Sequence, residues 1–182
     1  GFVIRGTENG AVTGSSVDGA GDLNGDGLSD VIIGSRLSDV NGEKSGASHV
    51  VFGKADGNEI SLDTISRDND SEGFIILGAS GGDYSGSRVS GAGDINGDGL
   101  ADVIVHSVYA DANQTDSLYN SVESRAVGIS NVVFGKTDGT SVNLENFTIE
   151  HNSQGFRIIG DHRSWQSSEA GDVNGDGLND IV

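Results

Sequence analysis

Nine aspartates and three asparagines fall at the same positions of three short segments, and their spacing is that of an oxygen-rich metal loop. The segments are GAGDLNGDGLSDVIIGS (19–35), GAGDINGDGLADVIVHS (91–107) and EAGDVNGDGLNDIV (169–182), which share the pattern Asp-x-Asn-x-Asp-Gly-x-x-Asp. In the first, Asp22, Asn24 and Asp26 alternate, so a turning backbone directs three side-chain oxygens toward one point. Gly27 supplies the sharp turn, Leu28 offers a backbone carbonyl and Asp30 closes the set. Calcium suits these donors, because it accepts about 6–8 hard oxygens in loose geometry. Magnesium demands a stricter octahedron, and the absence of cysteine and of nearby histidine argues against zinc.

An EF-hand begins in the same way but needs a bidentate glutamate at loop position twelve, where this chain has Ile33 and Val105. The flanks are also wrong for helices. Val31-Ile32-Ile33, Val103-Ile104-Val105 and Ile181-Val182 are β-branched runs that read as buried strands. Asn-Gly-Asp-Gly alone is ordinary turn chemistry, but three copies that all keep carboxylates at positions one, five and nine exceed what a plain turn requires.

The charge balance points the same way. With 28 acidic and 10 basic residues the formal charge is −18, and three Ca²⁺ would bring it to about −12. A surface this acidic excludes nucleic acid and anionic membrane as partners that bind through counterion release. No apolar stretch reaches the roughly 18–20 residues of a membrane-spanning helix, so membrane insertion is not expected.

Other segments recur in step with the loops, whose spacing is 72 and then 78 residues. GFVIRG (1–6), GFIILG (73–78) and GFRIIG (155–160) form one series, and ASHVVFGKADG (47–57) matches ISNVVFGKTDG (129–139). Each unit reads as a polar strand, the loop, an apolar strand, a VVFGK strand, a weak connector (ISLDTI or SVNLENFTI) and a Gly-Phe strand. Thirty glycines and scarce helical periodicity support an all-β chain of four-stranded units. The longer second interval places an insertion at 111–125, expected to be a surface hairpin.

These motifs resemble the FG-GAP repeats of integrin α-subunit β-propellers, in wording most like the versions in bacterial and cyanobacterial surface proteins. The resemblance implies antiparallel propeller blades with calcium between the first two strands of each. Its ligands would be Asp22, Asn24, Asp26, Leu28 and Asp30; Asp94, Asn96, Asp98, Leu100 and Asp102; and Asp172, Asn174, Asp176, Leu178 and Asp180. The family pattern is not complete. No phenylalanine stands beside Gly14 or Gly86, the "GAP" element reads Gly34-Ser35-Arg36 and His106-Ser107-Val108, and Ser164-Trp165 replace Gly86-Ser87 in the third unit. Those departures weaken any transfer of integrin ligand recognition and leave the metal chemistry in place.

The expected organisation is a last strand of a preceding blade (1–12), blade one (13–78), blade two (79–160) and the start of blade three (161–182). Propellers close with about four to eight blades, so an incomplete propeller is expected, completed by further FG-GAP blades in the same chain or by copies of it. The expected role is non-catalytic: a calcium-stabilised structural or adhesive module at the cell surface or outside the cell. The alternatives are a rim that recognises protein or glycan through Tyr109, Tyr119 and the loop near His162, Arg163 and Trp165, and an accessory domain of a secreted hydrolase. His49, His106, His151 and His162 lie on different elements with no motif linking them to a serine nucleophile. Acidic clusters at 68–70 and 111–116, and three glycosylation-type sequons at Asn69, Asn113 and Asn146, add only weak signals.

Overall fold

The computed structural model describes residues 1–6, 10–65, 71–111, 128–148, 152–160 and 167–182. The expectations at 68–70, for the 111–125 insertion beyond Asp111, and for His151, His162, Arg163, Ser164 and Trp165 lie outside the described residues.

The central apolar runs, in β3, β4, β8 and β9, form strands that are covered on both sides. Strands β2 (Thr13–Gly21), β3 (Asp30–Ser35), β4 (Ala47–Val51) and β6 (Gly73–Leu77) pair antiparallel in that order. Strands β7 (Ser85–Gly93), β8 (Asp102–Ser107), β9 (Ile129–Val133) and β11 (Gly155–Ile159) repeat the arrangement. A third hairpin opens with β12 (Glu169–Gly171) and β13 (Asp180–Ile181). The chain is therefore all-β, made of antiparallel blades that do not close into a barrel, an incomplete propeller.

Alternation along the central strands sends side chains into two different cores. Ile32 of β3 and Val50 of β4 meet Val89 of β7 and Val103 and Val105 of β8 between the blades, with Phe52, Phe74 and Phe147 completing that cluster. The intervening Ile33 and Val51 turn the other way, onto Ile60, Leu62 and Ile65 and the segment carrying Phe2 and Ile4. In the second blade, Ile104 and Val132 face Ile181 of the third hairpin. Every residue of β4, β8 and β9 is buried, so the runs Val50-Val51, Val103-Ile104-Val105 and Val132-Val133 are apolar at successive positions rather than at alternate ones.

The connectors prove to be more than weak linkers. Each contributes a short strand to the neighbouring unit: β5 (Ile60–Ser61) pairs parallel with β1 (Ile4–Arg5), and β10 (Val142–Asn143) pairs parallel with the end of β6. Only two residues of 1–6 are strand, because the partner connector is equally short. The VVFGK and Gly-Phe motifs reinforce the same junctions. Phe52 packs on Phe74 and Phe134 on Phe156, both with ring centroids 6.0 Å apart. Lys136 sits over the Phe74 ring and Lys54 over the Phe2 ring, so each lysine caps the aromatic of the preceding unit.

Candidate metal loops and their stacking

Each loop curls around its first aspartate. The Asp22 carboxylate accepts the amides of Gly25 (2.7 Å), Asp26 (3.1 Å) and Gly27 (2.9 Å). Asp94 accepts those of Gly97, Asp98 and Gly99, and Asp172 those of Gly175, Asp176 and Gly177, at matching distances. The curl needs left-handed backbone at Gly25 (φ 79°) and Gly27 (φ 86°), which glycine adopts without penalty. Asn24 Oδ1 accepts the Asp26 amide, and Asp26 Oδ1 accepts that of Leu28. Asn24 Nδ2 donates to Asp26 Oδ2 at 3.0 Å, and Asn96 does the same to Asp98, whereas Asn174 turns to Asp180 Oδ1.

The position-nine aspartates behave differently. Asp30 and Asp102 are almost fully buried at the start of β3 and β8. Asp30 accepts the Leu23 amide across its own loop and the Gly53 amide from the VVFGK turn, at 2.7 and 2.8 Å. Asp102 repeats this with Ile95 and Gly135. This carboxylate therefore ties the loop to the third strand of its blade, a role that the spacing alone does not reveal. Gly53 is required at the junction, since a Cβ there would stand 2.6 Å from the Ser29 carbonyl oxygen. Asp180 keeps the bond across its own loop, to Val173.

Burial raises the pKa of both carboxylates. Asp102 is pushed to about 6 by desolvation, opposed by the Gly135 and Ile95 amides and reinforced by the charges of Asp98 and Asp94. Asp30 shifts in the same direction for the same reasons, with Asp26 and Asp22 as the neighbouring anions. The acids of the first two loops thus repel one another. Among the described residues no three acidic or imidazole side chains already stand together as a chelating cluster. The donor chemistry fits calcium: three carboxylates, one side-chain amide oxygen and one backbone carbonyl per loop, all hard oxygens, with Asn24, Asp26, Asn96 and Asp98 partly or fully exposed.

The loops also stack on one another. The Ala101 amide donates to the Asp22 carbonyl at 2.9 Å, and the Asn179 amide to the Asp94 carbonyl at 3.0 Å, so each loop is bonded to the next. Leu100 reaches across to Gly25 and Leu178 to Gly97, where a Cβ would lie 3.1 and 3.0 Å from the leucine methyl. The position-seven leucines thus contribute a packed side chain in addition to the carbonyl expected of them.

The described histidines lie inside strands. His49 and His106 are buried within β4 and β8, and burial lowers the His49 pKa to about 4. His106 Nδ1 lies 3.0 Å from the Ser130 hydroxyl, and both are buried in the sheet.

Residues 13–51, which run from the first polar strand through the first loop to the VVFGK strand, match the family model described as FG-GAP repeat. That segment is an FG-GAP repeat, and the strands and loop of 85–133 reproduce its pairing and hydrogen bonds. No curated protein matches the chain.

Proposed function

We propose, from the FG-GAP repeat at residues 13–51, that this chain is a non-catalytic, calcium-stabilised structural or adhesive module of an extracellular or cell-surface protein. The observation that carries this reading is the triplicate loop: the same carboxylates, held by the same amides, stacked in series across successive blades. Asp22, Asn24, Asp26, the Leu28 carbonyl and Asp30 would hold one ion. Asp94, Asn96, Asp98, Leu100 and Asp102 would hold a second, and Asp172, Asn174, Asp176, Leu178 and Asp180 a third. Bound calcium supplies positive charge where the carboxylates repel.

The chain's own residues do the rest. Asp30 and Asp102 couple the loop to the third strand, and the amide bonds from Ala101 and Asn179 couple each loop to its neighbour. Relief of repulsion in one loop therefore stabilises a blade and its junction together. Extracellular modules of this kind bind calcium at about 10⁻⁴–10⁻³ M, so ordering follows the ion on leaving the cell.

The outer blade faces support assembly with further blades of the same type, in the same chain or in another copy. Val17 and Leu28 are exposed on one side, 60 and 41%, and Val173 is 72% exposed on the other. The test is thermal unfolding and light scattering in millimolar calcium and after chelation. A melting temperature that falls by several degrees on chelation, and falls less in Asp22→Asn or Asp94→Asn variants, is expected. Unchanged stability and mass would overturn the calcium reading.

A further inference from the structure

At the end of the strands opposite the acidic loops, a cleft of about 390 Å³ opens between the two blades. Its lining includes Arg36 just beyond β3, Arg88 on β7, the hydroxyl-bearing Ser15 and Ser87, and Tyr109. β3 spans six residues, so about 20 Å separates this cleft from the loops.

The arginines stand out against their surroundings. Arg5 pairs with Glu59, Lys44 with Glu43, Lys54 with Asp56 and Glu72, and Lys136 with Asp138. Arg157 donates to the Leu144 carbonyl and lies beside Asp83. Arg36 and Arg88 have no ion-pair or hydrogen-bond partner among the described residues, in a chain of formal charge −18. The repeat does not demand them either. The counterpart of Arg36 in the second unit is Val108, and the counterpart of Arg88 in the first is Ser16.

The remaining lining suits a sugar. Tyr109 is 44% exposed, its ring set edge-on to Tyr84 with centroids 5.1 Å apart and its amide bonded to the Asp83 carbonyl. It lines the cleft with an aromatic ring anchored against Tyr84. Tyr84 is itself held in left-handed backbone (φ 55°), an uncommon conformation for a bulky side chain. The Ser87 hydroxyl donates to the His106 carbonyl at 3.1 Å and that of Ser15 to the Gly34 carbonyl, which leaves both oxygens as acceptors for ligand hydroxyls.

We propose that this cleft binds a single acidic sugar unit, its carboxylate or sulfate held by Arg36 and Arg88 and its ring laid on Tyr109. Guanidinium groups recognise such oxyanions through paired N–H donors. The strongly negative field of the rest of the molecule disfavours a long polyanion, so one charged residue in an otherwise neutral glycan is the fitting ligand. The site is independent of the metal reading, because none of its residues belongs to a loop.

The test is NMR titration of the whole chain in millimolar calcium with glucuronate, glucose 6-sulfate, glucose, inorganic sulfate and a glutamate-containing peptide. Saturable shifts at Arg36, Arg88 and Tyr109 with one or both acidic sugars, and none with glucose, are expected; which acid binds identifies the charged group. Arg36→Gln and Arg88→Gln should each weaken binding at least tenfold with melting temperatures unchanged, because both side chains are exposed, and Tyr109→Ala should weaken it severalfold. Absence of saturable binding by either sugar, or binding indifferent to the arginine variants, overturns the proposal. Equal affinity for inorganic sulfate or the peptide, insensitive to Tyr109→Ala, overturns the assignment to a sugar.

Discussion

The first and second blades share strand order, register and loop chemistry, yet equivalent side chains meet different surroundings. Val17 on β2 is 60% exposed, while Val89, its counterpart on β7, is 6% exposed beneath the first blade. Leu23 is fully buried by the following blade, and Val173, its counterpart in the third loop, is 72% exposed. At the facing positions of the third and fourth strands, His49 and Ile75 in one blade become Asn131 and Arg157 in the other. A repeat therefore encodes a shape with two half-cores, and the worth of each apolar residue is set by whether a neighbour covers it.

The largest way to break this comparison is a charge at paired positions. Val89→Asp places a carboxylate inside the core between the blades and should destabilise by about 4 kcal/mol, whereas Val17→Asp should stay within about 0.5 kcal/mol. Denaturant unfolding midpoints of the two variants measure this, and similar losses would mean that β2 is covered in solution.

Gly14 and Gly86 sharpen the contrast, because both have left-handed backbone (φ 82° and 76°). An added Cβ meets nothing at Gly14 but stands 2.3 Å from the Ala47 carbonyl oxygen at Gly86. Alanine at position 14 should cost about 1 kcal/mol for the backbone conformation, and at position 86 about 3 kcal/mol from strain and clash together.

Acid separates the blades through His49. Its folded pKa, about 4, lies below the unfolded value, and its Nδ1 is buried without a partner. The stability tied to the neutral ring is complete above about pH 6.5 and is lost as pH falls toward 4. At pH 5 this amounts to about 2 kcal/mol. His106, also shifted down by burial, acts in the same direction. Asp83 and Asp102, raised to about 6 by burial, act oppositely, since their folded forms hold the proton better as pH drops from 6 toward 4. His49→Asn, which installs the second blade's residue, should remove only the His49 share, seen as a shallower fall in stability between pH 7 and 5.

The smallest contrast is between loops. Leu100→Ala removes the contact on Gly25 and should destabilise by about 1 kcal/mol, while Leu28→Ala, at an exposed site, should change stability by less than about 0.5 kcal/mol. Equal effects would show that the leucine matters through its own loop alone.

Much of this was legible in the sequence. Continuous β-branched runs predicted β3 and β8, the repeated VVFGK motif predicted β4 and β9, and the repeated Asp-x-Asn-x-Asp-Gly spacing located all three loops. Three features were not. The connectors read as weak because two-residue strands carry no periodicity. The second role of Asp30 and Asp102, as ties to Gly53 and Gly135, was hidden because those glycines are 23 and 33 residues away. Arg36 and Arg88 stand at unrelated repeat positions and meet only when the two blades pack.

By itself, the sequence determined the local geometry of this protein: which segments extend, where glycine lets the chain turn, and which oxygens each loop offers. Those properties depend on residues within a few positions of one another. Tertiary structure alone decided which of three similar units is buried, which carboxylate becomes a staple between strands, and which two arginines share a cleft. Burial and charge pairing are properties of neighbours in space, and a repeat places the same residue beside a different neighbour at each end of the stack.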